Sequence, residues 1–445
     1  MTLSIAEGAQ WTPRLVVDNF AASDGSAQAA INTLTMNDGI ININDGEDQN
    51  VKVETLQGNG GTIRLAGELH ENIISSGKLT VLNPIETDTS LDVTVTGVTS
   101  DDVTDVETTM ASLEGKVSAA GSTITNIIQE GDIKGAISQT VDKSGTKGEI
   151  QQAVNQKLDG YSSIAALSAV QWRHENDTLL KRMGELRDAQ GTVGAWARIY
   201  GSEQEYGAQS VTAKNTTVQV GADYDVGSGW KVGGAFSYTD GSSSFDMGES
   251  DSNMYGVAVY GTWLADNGQF VDLIAKYSRL SNEFTSGTMK GDFDNNAFSV
   301  AAEYGWHFAL NDQAFVEPSA GVTYGRIMGD DFMAHNGVKV EQDDYDSLIG
   351  RLGVRSGFYF PNQKGTIYAR AAVLHDFMGD MESTASKDGN VAHLKDELGD
   401  TWVEYGIGAN FNLTNATYTF VDLEKTAGGD VKEGWRWNIG LRTVF

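Results

Sequence analysis

From residue 191 to the end of the chain, short runs alternate apolar side chains with small or polar ones, and the alternation keeps a period of two. "FSVAAEYGWHF" places Phe298, Val300, Ala302, Tyr304, Trp306 and Phe308 on one face, with Ser299, Ala301, Glu303, Gly305 and His307 on the other. "GQFVDLIAKYS" sets Val271, Leu273, Ala275 and Tyr277 opposite Asp272 and Lys276. "WVEYGIGANF" sets Val403, Tyr405, Ile407, Ala409 and Phe411 opposite Glu404, Gly406, Gly408 and Asn410. The chain closes on "GWRWNIGLRTVF", where Trp435, Trp437, Ile439, Leu441, Thr443 and Phe445 share one face. Its other face reads Arg436, Asn438, Gly440, Arg442 and Val444. Side chains alternate in this way across a strand and not along a helix, so these are strands with two unlike faces.

Two architectures accept such strands. A soluble β-sandwich turns the apolar face to a core, whereas a membrane barrel turns it to lipid and the polar face to a lumen. The polar faces carry Arg198, Asp223, Asp272, Glu303, Arg351, Arg355 and Arg370. Burying so many charges in a dry core costs several kcal/mol per ion, about the scale at which folding fails. In a wet lumen they would keep their solvent. Turn clusters such as "VGSGW", "ADNGQ", "FPNQKG" and "LTNA" separate about twelve strands from Thr192 onward, an even number as in bacterial barrels. Trp230, Tyr238, Trp263, Tyr277, Trp306 and Trp435 fall near strand ends, where interfacial aromatic girdles lie. "DGSSSFDMGESDSN" and "STASKDGNVAHLKDELGD" read as extracellular loops. The expected fold class is all-β: a transmembrane antiparallel β-barrel of about twelve strands with an α-helix in the lumen, preceded by a short parallel β-helix.

Composition agrees with this. The chain has 31 Lys+Arg against 61 Asp+Glu, a formal net charge of −30, which argues against binding nucleic-acid phosphates. It has 0 Cys, compatible with passage through an oxidising periplasm. No stretch reaches the roughly 18–20 continuous apolar residues of a membrane helix. No basic segment followed by an apolar run stands near Met1, so an exported form is expected to need a signal peptide from outside this sequence.

Three segments precede the barrel. Residues 1–100 contain short alternating runs ("INTLTMNDGIININDG", "VKVETLQGNGGTIRLAG", "KLTVLNP") broken by Asn/Gly corners, the pattern of β-helix rungs. Residues 101–161 are polar and rich in Gly, Ser and Asp, and are expected to form a linker with little core of its own. Residues 162–190 read as one helix, rich in Ala, Leu, Arg and Glu without internal Pro, carrying Arg173, Lys181, Arg182 and Arg187. Beside an acidic lumen this helix reads as a plug in the pore; a helix packed outside, or a spacer, is the alternative.

This order resembles the C-terminal end of an autotransporter of the type V secretion class. "NTLTMNDGIININDG…VKVETLQGNGGTIRL" resembles the end of many passengers. "NDTLLKRMGELRDAQGTVGAWARIYG" is similar to the family's helix-to-first-strand junction. With "VQVGADYDV" and "YDSLIGRLGVRSG" it most resembles the barrels of serine-protease autotransporters of enterobacteria. The resemblance implies a bacterial outer-membrane barrel that takes part in exporting its own N-terminal passenger to the cell surface. It implies as partners the outer-membrane lipid, a barrel-insertion machinery reading the terminal strand through Phe445, periplasmic chaperones, and a host surface met by the rest of the passenger. A barrel-anchored adhesin that stays uncleaved and an outer-membrane channel are the alternatives.

The resemblance also implies chemistry. In the relatives the passenger is cut inside the pore when an asparagine amide nitrogen attacks its own main-chain carbonyl, leaving a succinimide. An amide is a poor nucleophile, so lumenal carboxylates and a constrained geometry must assist. The matching stretch is "HENDTLL", which makes Asn176–Asp177 the candidate bond, with Asp177 where the relatives have asparagine. Two of the relatives' acids fall on Asp272 and Glu303; a third falls on Gly321, and Glu317, four residues earlier on the same face, is the candidate substitute. Alternatively Asp272 and Glu303 pair with Arg173, Lys181 or Lys276 and simply hold the helix. No cofactor and no metal are expected, since the chain has no G-x-x-x-x-G-K-[ST] or H-E-x-x-H motif.

Overall fold

The computed structural model describes residues 2–13, 31–44, 49–175, 179–184, 186, 191–207, 211–361 and 364–445. Two units are present: Met1–Gln156 with Asp388–Asn390, and Lys157–Lys387 with Val391–Phe445.

In the first unit, successive strands lie side by side in parallel. Ile31–Ile43 stacks on Asn50–His70, which stacks on Ser90–Thr99, which stacks on Thr123–Gln129. The register puts like on like: Ile41, Ile63 and Val93 form one buried column and Ile43, Leu65 and Val95 another. This is a short parallel β-helix whose core is a stack of aliphatic columns. The "GNGG" corner needs its glycines: Gly60 has φ +112°, and a Cβ there would sit 1.7 Å from the carbonyl oxygen of Ser90 on the next rung.

Residues 101–161 depart from the expected linker. They contain helix α1 (Val106–Leu113), capped by Asp105 through the Thr108 amide at 3.1 Å, and a rung of their own in Thr123–Gln129. Met110, Leu113, Val117, Ile128 and Ile137 join the same core as the earlier columns. Strand Ile137–Val141 turns antiparallel to its neighbour, and Gln151–Gln152 pairs antiparallel with it in turn. A rung needs only a few inward apolar residues, so a polar average conceals it.

In the second unit, the strands are Val193–Tyr206, Val211–Gly227, Trp230–Phe245, Gly248–Leu264, Gln269–Ser286, Met289–Trp306, Ala314–Met328, Tyr345–Tyr359, Gly365–Asp376, Thr401–Asn412, Thr417–Gly428 and Val431–Val444. Each pairs antiparallel with the next, and the first also pairs with the last, from Gly194 opposite Val444 to Tyr206 opposite Val431. Among the described residues these twelve strands close a barrel. The faces sort as the alternation predicts. Ile439, Leu441 and Phe445 are exposed outward, while Arg436, Asn438 and Arg442 are buried inward.

The strands outrun the expected loops. "DGSSSFDMGESDSN" is strand almost throughout, with Phe245 opposite Gly248 across the turn. Asp380–Lys387 pairs with Lys339–Gln342, which pairs with Asp331–Met333. Phe332 of that small sheet stacks on Phe293 with ring centroids 5.2 Å apart.

Helix α2 (Lys157–His174) is buried on apolar and polar sides alike, including Tyr161, Ala166, Val170, Ser163, Gln171 and His174. Burial all round requires a barrel on all sides. Ser168 Oγ donates to Asn295 Oδ1 at 2.6 Å, and Trp172 lies where a Cβ on Gly325 would come within 2.0 Å of its ring. The helix predicted over residues 162–190 thus begins earlier, ends at His174, and is followed by a separate short helix α3 (Leu179–Met183).

Leu113 is fully buried, so Leu113→Ala should remove about 2–5 kcal/mol from the first unit. The check is the temperature at which protease cuts within residues 101–156, which should fall; an unchanged threshold would return this segment to the status of a linker.

Candidate functional site

Cations from the helices meet carboxylates from the barrel wall. Arg182 of α3 donates from Nη2 to both oxygens of Asp272 at 2.9 Å, and its guanidinium lies 4.7 Å from the centre of the Tyr260 ring. Thr262 Oγ1 also donates to Asp272, at 2.5 Å. Lys181 donates to Glu404 and, at 2.6 Å, to Glu424. Arg173 of α2 donates to Asp376 at 3.0 Å and to the Leu398 carbonyl at 2.5 Å. The wall pairs with itself as well: Arg442 with Asp223 through two 2.6 Å contacts, and Arg370 with Glu424 at 2.7 Å. The sequence predicts solvated lumenal charges; the structure has them matched in pairs. A helix filling the lumen displaces bulk water, so each buried charge needs a counter-charge.

Beside α3 a cavity of about 100 Å³ is lined by Asp272, Glu303, Gly321, Arg351, Glu404 and Glu424, among others. Strand register builds it: Asp272 stands opposite Glu303, Glu303 opposite Gly321, and Gly321 opposite Arg351. Arg351 Nη1 reaches Glu303 at 3.3 Å, and its Nε lies 4.0 Å from Glu404. Asp272 and Glu303 are therefore brought together.

Glu317 is not brought to this cavity. Four residues of strand separate it from the level of Gly321, about 13 Å of rise. Its carboxylate accepts from Arg355 at 3.1 and 3.0 Å and lies 2.9 Å from His307 Nδ1. Its candidacy as the missing acid is corrected accordingly. Glu404 and Glu424 do reach the cavity. Alternation along "WVEYGIGANF" marks Glu404 as lumenal, but nothing along one strand tells which distant strands converge.

The cations meet partners other than those expected, with Arg182 of α3 on Asp272 and Lys276 of the barrel wall on the main chain of Glu175. Asn176 and Asp177 lie outside the described residues. The residues just before them are held closely. The His174 ring nitrogens lie 2.6 Å from Ser202 Oγ and 2.9 Å from Thr217 Oγ1, and the ring stacks on Tyr200. The Glu175 carboxylate accepts from Ser237 and Ser278, each at 2.9 Å. Arg436 Nη2 donates to the His174 carbonyl at 2.6 Å and Lys276 Nζ to the Glu175 carbonyl at 2.5 Å. In α3, Arg198 and Asn438 donate to the Lys181 carbonyl and Tyr418 to that of Met183.

A closed barrel with an aliphatic outer belt, an ion-paired lumen and a helix inside it is a membrane-spanning β-barrel of the outer-membrane kind. The autotransporter β-domain model matches residues 195–424. This chain belongs to the autotransporter family, and its barrel is an outer-membrane translocator domain in contact with lipid, with the N-terminal part at the cell surface. Relatives include the serine protease EspP of Escherichia coli, 28% identical over 67% of this chain and 25% of its own length. The pertactin autotransporter of Bordetella parapertussis is 30% identical over 66% of this chain and 33% of its own. The chain thus spans a quarter to a third of the curated relatives it matches. In fold it is similar to the translocator domain of NalP from Neisseria meningitidis, with a TM-score of 0.52 at 15% identity over 65% of this chain and 99% of that one. The transport unit of AIDA-I from Escherichia coli gives a TM-score of 0.52 at 15% identity over 64% of this chain and 99% of that one.

Lys181→Met leaves Glu404 and Glu424 without their shared cation. Removing one partner of a buried pair costs about 3–5 kcal/mol. The folded barrel should lose its compact electrophoretic mobility at a clearly lower temperature than the wild type, whereas Lys214→Met, at an exposed pair, should not change it.

Proposed function

We propose that this chain exports the polypeptide N-terminal to its helix and then releases it by cyclisation at Asn176. Residues 1–156 would be the end of the passenger and residues 157–445 the translocator. In the cleavage step the Asn176 side-chain nitrogen attacks the Asn176 main-chain carbonyl carbon. The new C–N bond closes a succinimide, the bond to Asp177 breaks, and one proton passes from the attacking nitrogen to the departing Asp177 nitrogen. No water is consumed. Asp272 already accepts three hydrogen bonds, so its role is to hold Arg182 and the local field. Glu303, its neighbour across the strand pair, carries the proton. The observation that supports this reading is a lumenal cavity lined by Asp272 and Glu303 together with Arg173 and Lys181, which stand on either side of Asn176 in the sequence.

A second reading keeps the passenger tethered as a surface-displayed adhesin. Gly321 favours it, because the position facing Glu303 holds no carboxylate. In both readings the terminal strand ending in Phe445 is the segment met by the barrel-insertion machinery, periplasmic chaperones accompany the unfolded chain, and the host is met by passenger sequence.

Intact mass of the outer-membrane species separates the two. Release predicts fragments 1–176 and 177–445, the first lighter by one water than a hydrolytic product. Asn176→Ala should stay whole. If the wild type also stays whole in a folded barrel, release is wrong and display stands.

A further inference from the structure

We propose that the outer wall of the barrel, between strands Gln269–Ser286 and Tyr345–Tyr359, holds one phosphorylated glycolipid of the outer leaflet. Its phosphates meet Arg279 and Arg326, and an acyl chain lies in the groove beneath them. The inference rests on the barrel's place in the outer membrane and not on the release reading.

Among the described residues of the barrel strands, arginines turn inward with two exceptions. Arg198, Arg355 and Arg442 are buried in the lumen, whereas Arg279 continues the outward alternation of Leu273 and Tyr277. Arg326 continues that of Val322. Their side chains are 58% and 46% exposed. Register brings the two together, since Arg279 stands opposite Asn296 and Arg326 opposite Phe298 on the one strand between them. Two strand spacings and an offset of two residues set their Cα atoms about 12 Å apart.

Their height matters as much. The short connections 228–229, 265–268 and 413–416 lie at one end, the periplasmic end of such barrels. Arg279 stands on the far side of the apolar belt from that end, beyond Val271, Leu273, Ala275 and Tyr277. Tyrosine hydroxyls mark the same level: Tyr277 donates to Asn296 Oδ1 at 2.7 Å and Tyr324 to Asp346 Oδ1 at 2.6 Å. Tyrosines with the ring in the belt and the hydroxyl on polar groups sit at the headgroups.

Below this level an open groove of about 740 Å³ runs over Leu273, Val300, Val322, Tyr324 and Leu348. Its floor is low because Ala275 stands opposite Val300, and Ala302 lies between Leu273 and Val322. Tyr324 belongs to both levels. Its ring lines the groove, and its hydroxyl meets Asp346, which also accepts from Arg326 at 3.3 Å. The surface is thus apolar below and cationic above, the profile of an acyl chain under a phosphate. A water-soluble partner cannot enter a groove that lies within the lipid belt.

Arg279 donates to Asp294 at 2.7 Å, and Arg326 donates to Asp344 as well as Asp346. Exposed pairs of this kind contribute little stability. The acids therefore orient the guanidinium planes without using up their five donors, and a phosphate takes two donors at once. The same acids oppose an anion that reaches a single arginine, which favours a headgroup with phosphate at two points.

The test uses the full chain folded into phosphatidylcholine nanodiscs that carry small equal fractions of bis-phosphorylated lipid A and phosphatidylglycerol. Lipid retained by the folded, heat-modifiable barrel is counted by native mass spectrometry. The wild type should retain lipid A over phosphatidylglycerol. Arg279→Gln and Arg326→Gln should each lower its retention about fivefold. Lys214→Gln, at an exposed pair on another strand, should leave it unchanged. Ala302→Phe, which fills the groove, should lower retention with both arginines in place. On the wild-type protein, lipid A stripped of one phosphate should show the loss of a single arginine variant, which keeps the proposal testable if a variant fails to fold. Equal retention of the two lipids by the wild type, or full retention of lipid A by the double arginine variant, overturns the proposal. Retention that survives Ala302→Phe overturns the groove as the seat of the acyl chain.

Discussion

A polypeptide segment in lipid must satisfy every backbone amide and carbonyl within the protein, and for strands this leaves only a closed ring. The rest of this structure depends on the seam between Val193–Tyr206 and Val431–Val444, where the chain's last strand meets its first barrel strand. With that seam formed there is no free edge, and each strand can turn one face to lipid and the other inward. The period of two in the sequence answers this constraint. It leaves Leu441 and Phe445 facing outward and Arg442 in a 2.6 Å contact with Asp223.

Inside, the constraint changes sign. Charges that would be harmless in an open pore become costly once a helix fills it, and the structure answers with matched pairs. A buried pair contributes little net stability, but a mismatched one is strongly penalised. Arg182 on Asp272, Lys181 on Glu404 and Glu424, and Arg173 on Asp376 therefore act as a seating code. Any rotation or slide of the helices would leave several charges unmatched at once. The same tight seating delivers the Glu175 carbonyl to Lys276 and the His174 carbonyl to Arg436.

Much of this was legible in advance. Alternation alone put Asp272 and Glu303 on the lumenal side, and their register makes them neighbours. It put Glu317 on the same side just as firmly, yet Glu317 sits at another level and is held by Arg355 and His307. Facing is a property of one strand; height and company belong to the ring. Residues 101–161 were obscured for a related reason. Met110, Leu113 and Ile128 are too sparse to raise the local apolar average, but stacked rungs need only such isolated residues. Within the helix expected over 162–190, Gly184, at φ +65°, is a local stop directly after α3. The carbonyls at the end of α2 are met by Lys276, about a hundred positions away, and Arg436, at the far end of the chain.

What the sequence by itself determined is which elements form and which way each faces, because pleat and helical period are local and repeat every two or 3.6 residues. Tertiary structure alone decided which lumenal charges meet and which acid reaches the cavity. Those outcomes depend on strand register around a closed ring, where residues hundreds of positions apart are brought to within 3 Å, as Lys181 is to Glu424. Such distances are set by the whole circle of hydrogen bonds and by no single stretch of it.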